Sequence, residues 1–182
     1  MTYRPVYDTL FPMKQDLYSE IFKLKQLERT GWKACNVKGR IESDAEHTFS
    51  MTILALEIIN KNNLELDVAK VLKMIAYHEL GEIDAGDITP AQYSGISKKE
   101  KSKREYDCIK RLAKQYNMPD IEQLWLEFEN GESPEAQFVR KIDKYDAVKQ
   151  SKIYAEKDNN PELFKEFRNN AKHICDEMDK LL

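Results

Sequence analysis

The strongest constraint on this chain is the way its apolar residues recur at three- and four-residue spacing, block after block, with a helix-opening residue ahead of most blocks. Leu17, Ile21, Leu24 and Leu27 share a face in the run at 14–29. Ser43 is placed as an N-cap, with Asp44 and Glu46 in the first turn and Phe49, Ile53, Leu54, Leu56 and Ile59 on the expected buried side. A third helix begins after Asp67 and carries Val71, Leu72, Met74 and Ile75 up to His78. Ser97 followed by Glu100 has the spacing of a capping box and opens a charged helix to about Asn117. Pro119, the Ser133-Pro134 pair and the Asn160-Pro161 pair open three more, the last running to the C-terminus. The stretch 84–96, with two glycines and a proline, reads as a loop. No alternating strand pattern and no internal repeat interrupts the series. The pattern predicts an all-α, single-domain helical bundle of about seven helices over residues 1–182.

Charge and cysteine usage narrow the possible partners. The chain has 29 basic and 32 acidic residues mixed along its length, for a net charge of −3, and no basic stripe, so a nucleic-acid duplex is not expected. The charged run KKEKSKREYDCIKR reads as a solvated helix face. The first residues lack the basic and apolar regions of a signal peptide, and no apolar run is long enough to span a bilayer, so a cytoplasmic protein with no membrane partner is expected. Cys35, Cys108 and Cys175 form no CxxC pair and read as free thiols.

Chemistry concentrates at three places. The chain has three histidines, and His78 is followed by carboxylates at Glu79, Glu82, Asp84 and Asp87. His47 shares a helix face with Ser43, Met51 and Leu54, so both imidazoles point toward apolar surroundings, where an unpaired polar group costs about 1–3 kcal/mol. Two satisfied core histidines explain that placement, and so does a divalent-metal site made of imidazoles and carboxylates. Asp143 flanks the inward arc Phe138, Val139, Ile142, Tyr145 and Val148; spacing allows it to be either a ligand or a surface partner of Lys141, Lys144 or Arg140. His173, Trp125 and Phe128 carry simple surface or packing readings.

Five blocks stand in order: RTGW at 29–32, RIESDAEH at 40–47, HELGEIDAGDITP at 78–90, EFENGESPEAQFVRKID at 127–143, and the helix that follows. Together, over about residues 27–156, they resemble the HD superfamily of metal-dependent phosphohydrolases, most closely the branch containing the 5′-deoxynucleotidases. The resemblance implies one divalent cation (manganese, cobalt, iron, nickel, zinc or magnesium) ligated by His47, His78, Glu79 and Asp143. It implies that Glu82 and Asp87 position or activate the attacking water, that Arg29 holds the substrate phosphate, and that Trp32 packs near a deoxyribose. A small nucleotide substrate and a homodimer are implied with them. The alternatives are another phosphorylated metabolite, a cyclic or alarmone nucleotide, or a module that binds metal or nucleotide without turnover.

Two departures from the family pattern stand out. The doublet is His-Glu rather than His-Asp, and the extra methylene means that the site has adjusted, that Glu79 does not ligate directly, or that catalysis is weakened. One extra residue lies between Trp32 and Glu42.

Overall fold

The computed structural model describes residues 16–88 and 94–182. The described residues form helices α1 (Leu17–Gln26), α2 (Thr30–Ala34), α3 (Asp44–Asn62), α4 (Val68–Tyr77) and α5 (Glu82–Ala85), followed by α6 (Lys98–Gln115), α7 (Ile121–Asn130), α8 (Pro134–Asp158), α9 (Pro161–Asn170) and α10 (Lys172–Leu181). The one strand-like feature among them is an isolated bridge between Glu28 and Ser43, which ties the start of α2 to the start of α3.

The caps explain the boundaries. Ser43 accepts from the N–H of Glu46, whose carboxylate reaches back to the Ser43 N–H. Asp67, Ser97 and Ser133 each cap their helix by accepting from the third helical N–H. Asn63 and Asn159 end α3 and α8 in left-handed conformation, which asparagine tolerates better than most residues.

The seven expected helices are present, with differences. Two short helices, α2 and α5, occupy stretches expected to be irregular, so Asp84 and Ala85 are helical rather than part of the loop. The rest of that loop is irregular through Ile88, and its continuation at 89–93 lies outside the described residues. The last helix divides at Ala171, just after Asn169 and Asn170, whose short amide side chains compete with helical hydrogen bonds. Beyond the break, Ile174, Cys175 and Met178 of α10 enter the core.

Helix α8 runs through the middle and packs against α3, α4, α7, α9 and α10. Its arc Val139, Ile142, Tyr145 and Val148 meets Met51, Ala55 and Ile58 of α3 and Val71, Met74 and Ile75 of α4. Each such large side chain removed from water contributes about 1.5–3 kcal/mol before entropy is counted. The buried stripe of α3 is therefore His47, Met51, Ala55 and Ile58, at spacings of four, four and three. Phe49 and Ile53, expected inside, lie on the opposite side and are 68% and 51% exposed. A second cluster joins Leu24, Leu80, Ile109, Leu112 and Trp125, and a third joins Trp32, Ile41, Tyr154 and Leu163. Trp125 and Phe128 are core residues, and His173 is exposed. No helix among the described residues is long and apolar enough to cross a membrane.

Candidate metal centre

The cap at Ser43 places His47 one turn into α3, on the face that meets α8, with no exposed surface. Asp143 and Asp146, three residues apart on α8, take opposite edges of its ring. Nδ1 lies 2.7 Å from Asp146 Oδ2, and Nε2 lies 3.2 Å from Asp143 Oδ1. Burial and Arg29 oppose protonation of His47, but the hydrogen bonds to Asp143 and Asp146 outweigh them and push its pKa up to about 9.

His78 closes α4, and its Nδ1 stands 2.7 Å from the carbonyl oxygen of Ile75. A carbonyl only accepts, so Nδ1 carries a proton, and in the neutral ring Nε2 presents a lone pair. That Nε2 is buried without a hydrogen-bond partner, 3.3 Å from Glu79 Oε1. A lone pair facing a carboxylate oxygen is repulsive unless a cation or proton lies between them, and this is the local observation that fits a metal. Glu79 Oε1 also lies 3.7 Å from His47 Nε2, and donor atoms of His47, His78 and Glu79 all fall within 4.8 Å of one another. Imidazole nitrogens and carboxylate oxygens are the donors that first-row divalent cations take.

Arg29 sits at the start of α2, where its backbone N–H donates to Glu42 O at 3.1 Å. Its guanidinium donates to Glu79 Oε1 at 2.8 Å and lies 3.8 Å from Asp44 Oδ1. Burial alone would lower the Arg29 pKa, but Glu79, Asp143, Asp87 and Asp44 raise it, so the group is always charged. Burial alone would raise the Glu79 carboxyl, but His78, Arg29 and His47 hold it well below the usual carboxylate range. Asp143 is lowered too, by its bond to His47 against the effect of burial.

A second carboxylate group adjoins the first. Oxygens of Asp44, Glu82 and Asp87 lie within 4.8 Å of one another, a grouping that could itself hold a cation. Both oxygens of Asp44 and Oε2 of Glu82 are buried without a hydrogen bond. Burial, then Glu79, pushes Asp44 up to about 8, and the same two causes push Glu82 well above its ordinary value. Asp87 is fixed from α2, since the Thr30 N–H donates to its carboxylate and the Thr30 hydroxyl to its carbonyl at 2.7 Å.

Arg29, His78, Glu79, Glu82, Asp87 and Asp143 all line one cavity of about 270 Å³. Trp32 does not line it. The tryptophan is 3% exposed, stacked on Phe167 with centroids 4.8 Å apart, and its Nε1–H donates to Glu42 Oε1 at 2.8 Å. It borders a smaller neighbouring cavity of about 200 Å³ that Arg29 and Asp87 also line.

Three participants were not expected from the sequence. Asp146 lies on the arc that contains Val139 and Ile142, so extending the arc by one turn would have found it. Asp44 looked like an ordinary first-turn acid. Lys101, whose Nζ donates to Glu82 Oε1 at 2.9 Å, lay inside the run read as solvated, and no local signal marked it.

A family model described as an HD domain matches residues 21–181. The chain is 32% identical over 148 residues to a Danio rerio protein named 5′-deoxynucleotidase HDDC2, covering 80% of this chain and 71% of that one. It is 31% identical over 152 residues to a Schizosaccharomyces pombe protein named 5′-deoxynucleotidase hdd1, covering 80% and 74%. A solved structure of a conserved hypothetical protein from Pyrococcus furiosus superposes with a TM-score of 0.71 at 26% identity, covering 92% of this chain and 99% of that one.

Proposed function

The chain belongs to the HD-domain family, and on that premise we propose that it is a metal-dependent phosphohydrolase acting on a deoxyribonucleoside 5′-monophosphate. The observation that carries this reading is the unpartnered Nε2 of His78, turned with His47 Nε2 toward one oxygen of Glu79, beside the guanidinium of Arg29. The names of the two relatives supply the nucleotide and the deoxyribose.

The reaction joins water to phosphorus and breaks the bond to the 5′ oxygen, giving a nucleoside and inorganic phosphate. Uncatalysed, it is among the slowest reactions known, so catalysis rests on positioning and charge neutralisation. His47, His78, Glu79 and Asp143 would hold one divalent cation, which supplies a more acidic water and neutralises a phosphate oxygen. Asp146 keeps the proton of His47 on Nδ1 and so keeps Nε2 free to donate its lone pair. Arg29 has five N–H donors, more than its Glu79 contact uses, and offers the rest to the phosphate. Glu82 lines the cavity beside these ligands, where, once ionised by a bound cation, it could take a proton from water and pass it on. Asp87, anchored on Thr30, fixes the wall between the two cavities, and Trp32 shapes the smaller one, which would take the sugar.

In the cell, the proposal is a cytoplasmic homodimer whose chain acts as one domain over 1–182. The enzyme test is phosphate release from a panel of deoxyribonucleotides and ribonucleotides with added manganese or cobalt. Release confined to deoxyribonucleoside 5′-monophosphates, abolished by a chelator and by His47→Ala, is the expected result. No release from any nucleotide, together with unchanged metal binding by His47→Ala, would overturn it.

A further inference from the structure

Helix α6 lies across the turn that carries Glu82, and Lys101, Glu105, Cys108 and Arg111 meet that turn from one face. Gly81 lets the helix come close: a Cβ there would sit 2.7 Å from the Cβ of Glu105. The Cys108 thiol donates to Leu80 O at 3.4 Å, and Arg111 grips Asp84 with two N–H groups at 2.7 and 3.0 Å. At the end nearest the cavity, Lys101 Nζ lies 2.9 Å from Glu82 Oε1 and 3.2 Å from Glu105 Oε1. Lys101 lines both cavities, so it borders the site as well as supporting Glu82.

The two oxygens of Glu82 are thereby made unequal. Oε1 is held by Lys101, while Oε2 is buried and has no hydrogen-bond partner, and one oxygen of Glu82 lies within 4.8 Å of oxygens of Asp44 and Asp87. The last torsion of a glutamate is broad and close to two-fold, so an untethered carboxylate would swing. Leaving a buried carboxyl oxygen unpaired is destabilising, which argues for a use in the working protein.

We propose that Lys101 is a positioning residue that pins one oxygen of Glu82 so that the other faces the reacting water. This rests on the reading of Glu82 as a participant in phosphate-ester hydrolysis. Lys101 acts through Glu82, so the two should behave as one unit.

The test measures kcat and KM for phosphate release by the manganese-loaded protein, unaltered and as Lys101→Met, Lys101→Arg, Glu82→Gln and Glu82→Gln/Lys101→Met. Bound manganese and the melting temperature are followed alongside. Lys101→Met is expected to lower kcat about 10- to 100-fold with KM nearly unchanged, the usual cost of losing an orienting partner, with metal content and fold retained. Lys101→Arg should recover most of the loss, and the double variant should be no slower than Glu82→Gln alone. If Lys101→Met fails to fold, Lys101→Gln, which keeps a donor without the charge, carries the same comparison. Turnover by the unaltered protein with an unchanged kcat in Lys101→Met would overturn the positioning role alone. So would a loss confined to KM, or a full further loss on the Glu82→Gln background. No turnover by the unaltered protein would overturn the hydrolase reading and the role of Lys101 with it.

Discussion

Replacing Asp146 with alanine should weaken the cation site while leaving His47, His78, Glu79 and Asp143 in the chain. Asp146 is 5% exposed, and its Oδ2 lies 2.7 Å from Nδ1 of His47, which has no exposed surface. Removing the carboxylate leaves a buried N–H without an acceptor, which costs about 1–3 kcal/mol of stability. It also frees the tautomer. A proton moved to Nε2 would point at Asp143 and Glu79 and take away the lone pair that a cation needs. Loss of such an outer partner costs about 10- to 100-fold in metal affinity, or about 1.4–2.7 kcal/mol. Asp146→Asn keeps a carbonyl acceptor for the Nδ1 proton but no charge, so its deficit should be the smaller. Affinity for manganese or cobalt, measured at fixed pH by competition with a chromophoric chelator, separates the three proteins, and thermal melts of the metal-free forms report the stability term. A folded Asp146→Ala protein that binds the cation as tightly as the unaltered one would refute the argument, and so would an Asn variant weaker than the Ala variant.

Gly81→Ala tests close approach rather than backbone freedom, because Gly81 has ordinary helical angles; the new methyl would meet Glu105, and overpacking of this kind should cost about 1–3 kcal/mol in denaturant melts and lower kcat by displacing Lys101. Trp32→Phe keeps a ring against Phe167 but removes the hydrogen bond to the buried Glu42 carboxylate, leaving it the 3.9 Å pairing with Arg29, so the melting temperature should fall and, with the sugar in the smaller cavity, ribonucleotide turnover should rise relative to deoxyribonucleotide turnover. Asp179 accepts from Tyr145 at 2.6 Å and pairs with Arg168 and Lys149, which together lower its carboxyl to about 2 from 3.8. A carboxyl lowered on folding contributes stability above its unfolded value and loses it as pH falls through the folded one. Asp179→Asn should therefore melt earlier than the unaltered protein at neutral pH, with the difference closing as pH falls from about 4 toward 2.

Helix order was legible because it is written locally. A serine or aspartate three residues before an N–H that needs a partner is a short-range fact, and Ser43, Asp67, Ser97 and Ser133 all cap where that rule places them. The choice of buried face on α3 was not local. The run from His47 to Ile59 is apolar on more than one side, and only docking on α8 and α4 selects Met51, Ala55 and Ile58 over Phe49 and Ile53. Asp143 was ambiguous for the same reason: lysines stand beside it in sequence, and its actual neighbour is His47, 96 residues away. Lys101 was hidden because an i,i+4 lysine–glutamate pair on a charged helix is ordinary, and the pair with Glu105 forms; what sequence lacks is that Gly81 draws that face onto Glu82.

The electrostatics of the site follow from its composition. Glu79, Asp143, Asp146, Asp44, Glu82 and Asp87 crowd around the two imidazoles, at one part of a cavity whose lining also carries Arg29, Lys98, Lys101, Arg140 and Lys144. The metal-free protein relieves the excess with protons: His47 is raised to about 9, Asp44 to about 8, and Glu82 well above its usual value. Glu79 and Asp143, nearest the imidazoles, stay ionised. The proton on His47 sits where a divalent cation would need a lone pair, while those on Asp44 and Glu82 relieve the adjoining carboxylate group. The glutamate of the His-Glu doublet fits the same account. Its extra methylene does not withdraw the carboxylate, because one oxygen still lies 3.3 Å from His78, 3.7 Å from His47 and 2.8 Å from Arg29. A cation bound at that oxygen would compete with Arg29 for it, and each N–H so released is a donor for the phosphate. Under the proposed hydrolase reading, metal binding and phosphate binding would then support each other through Glu79.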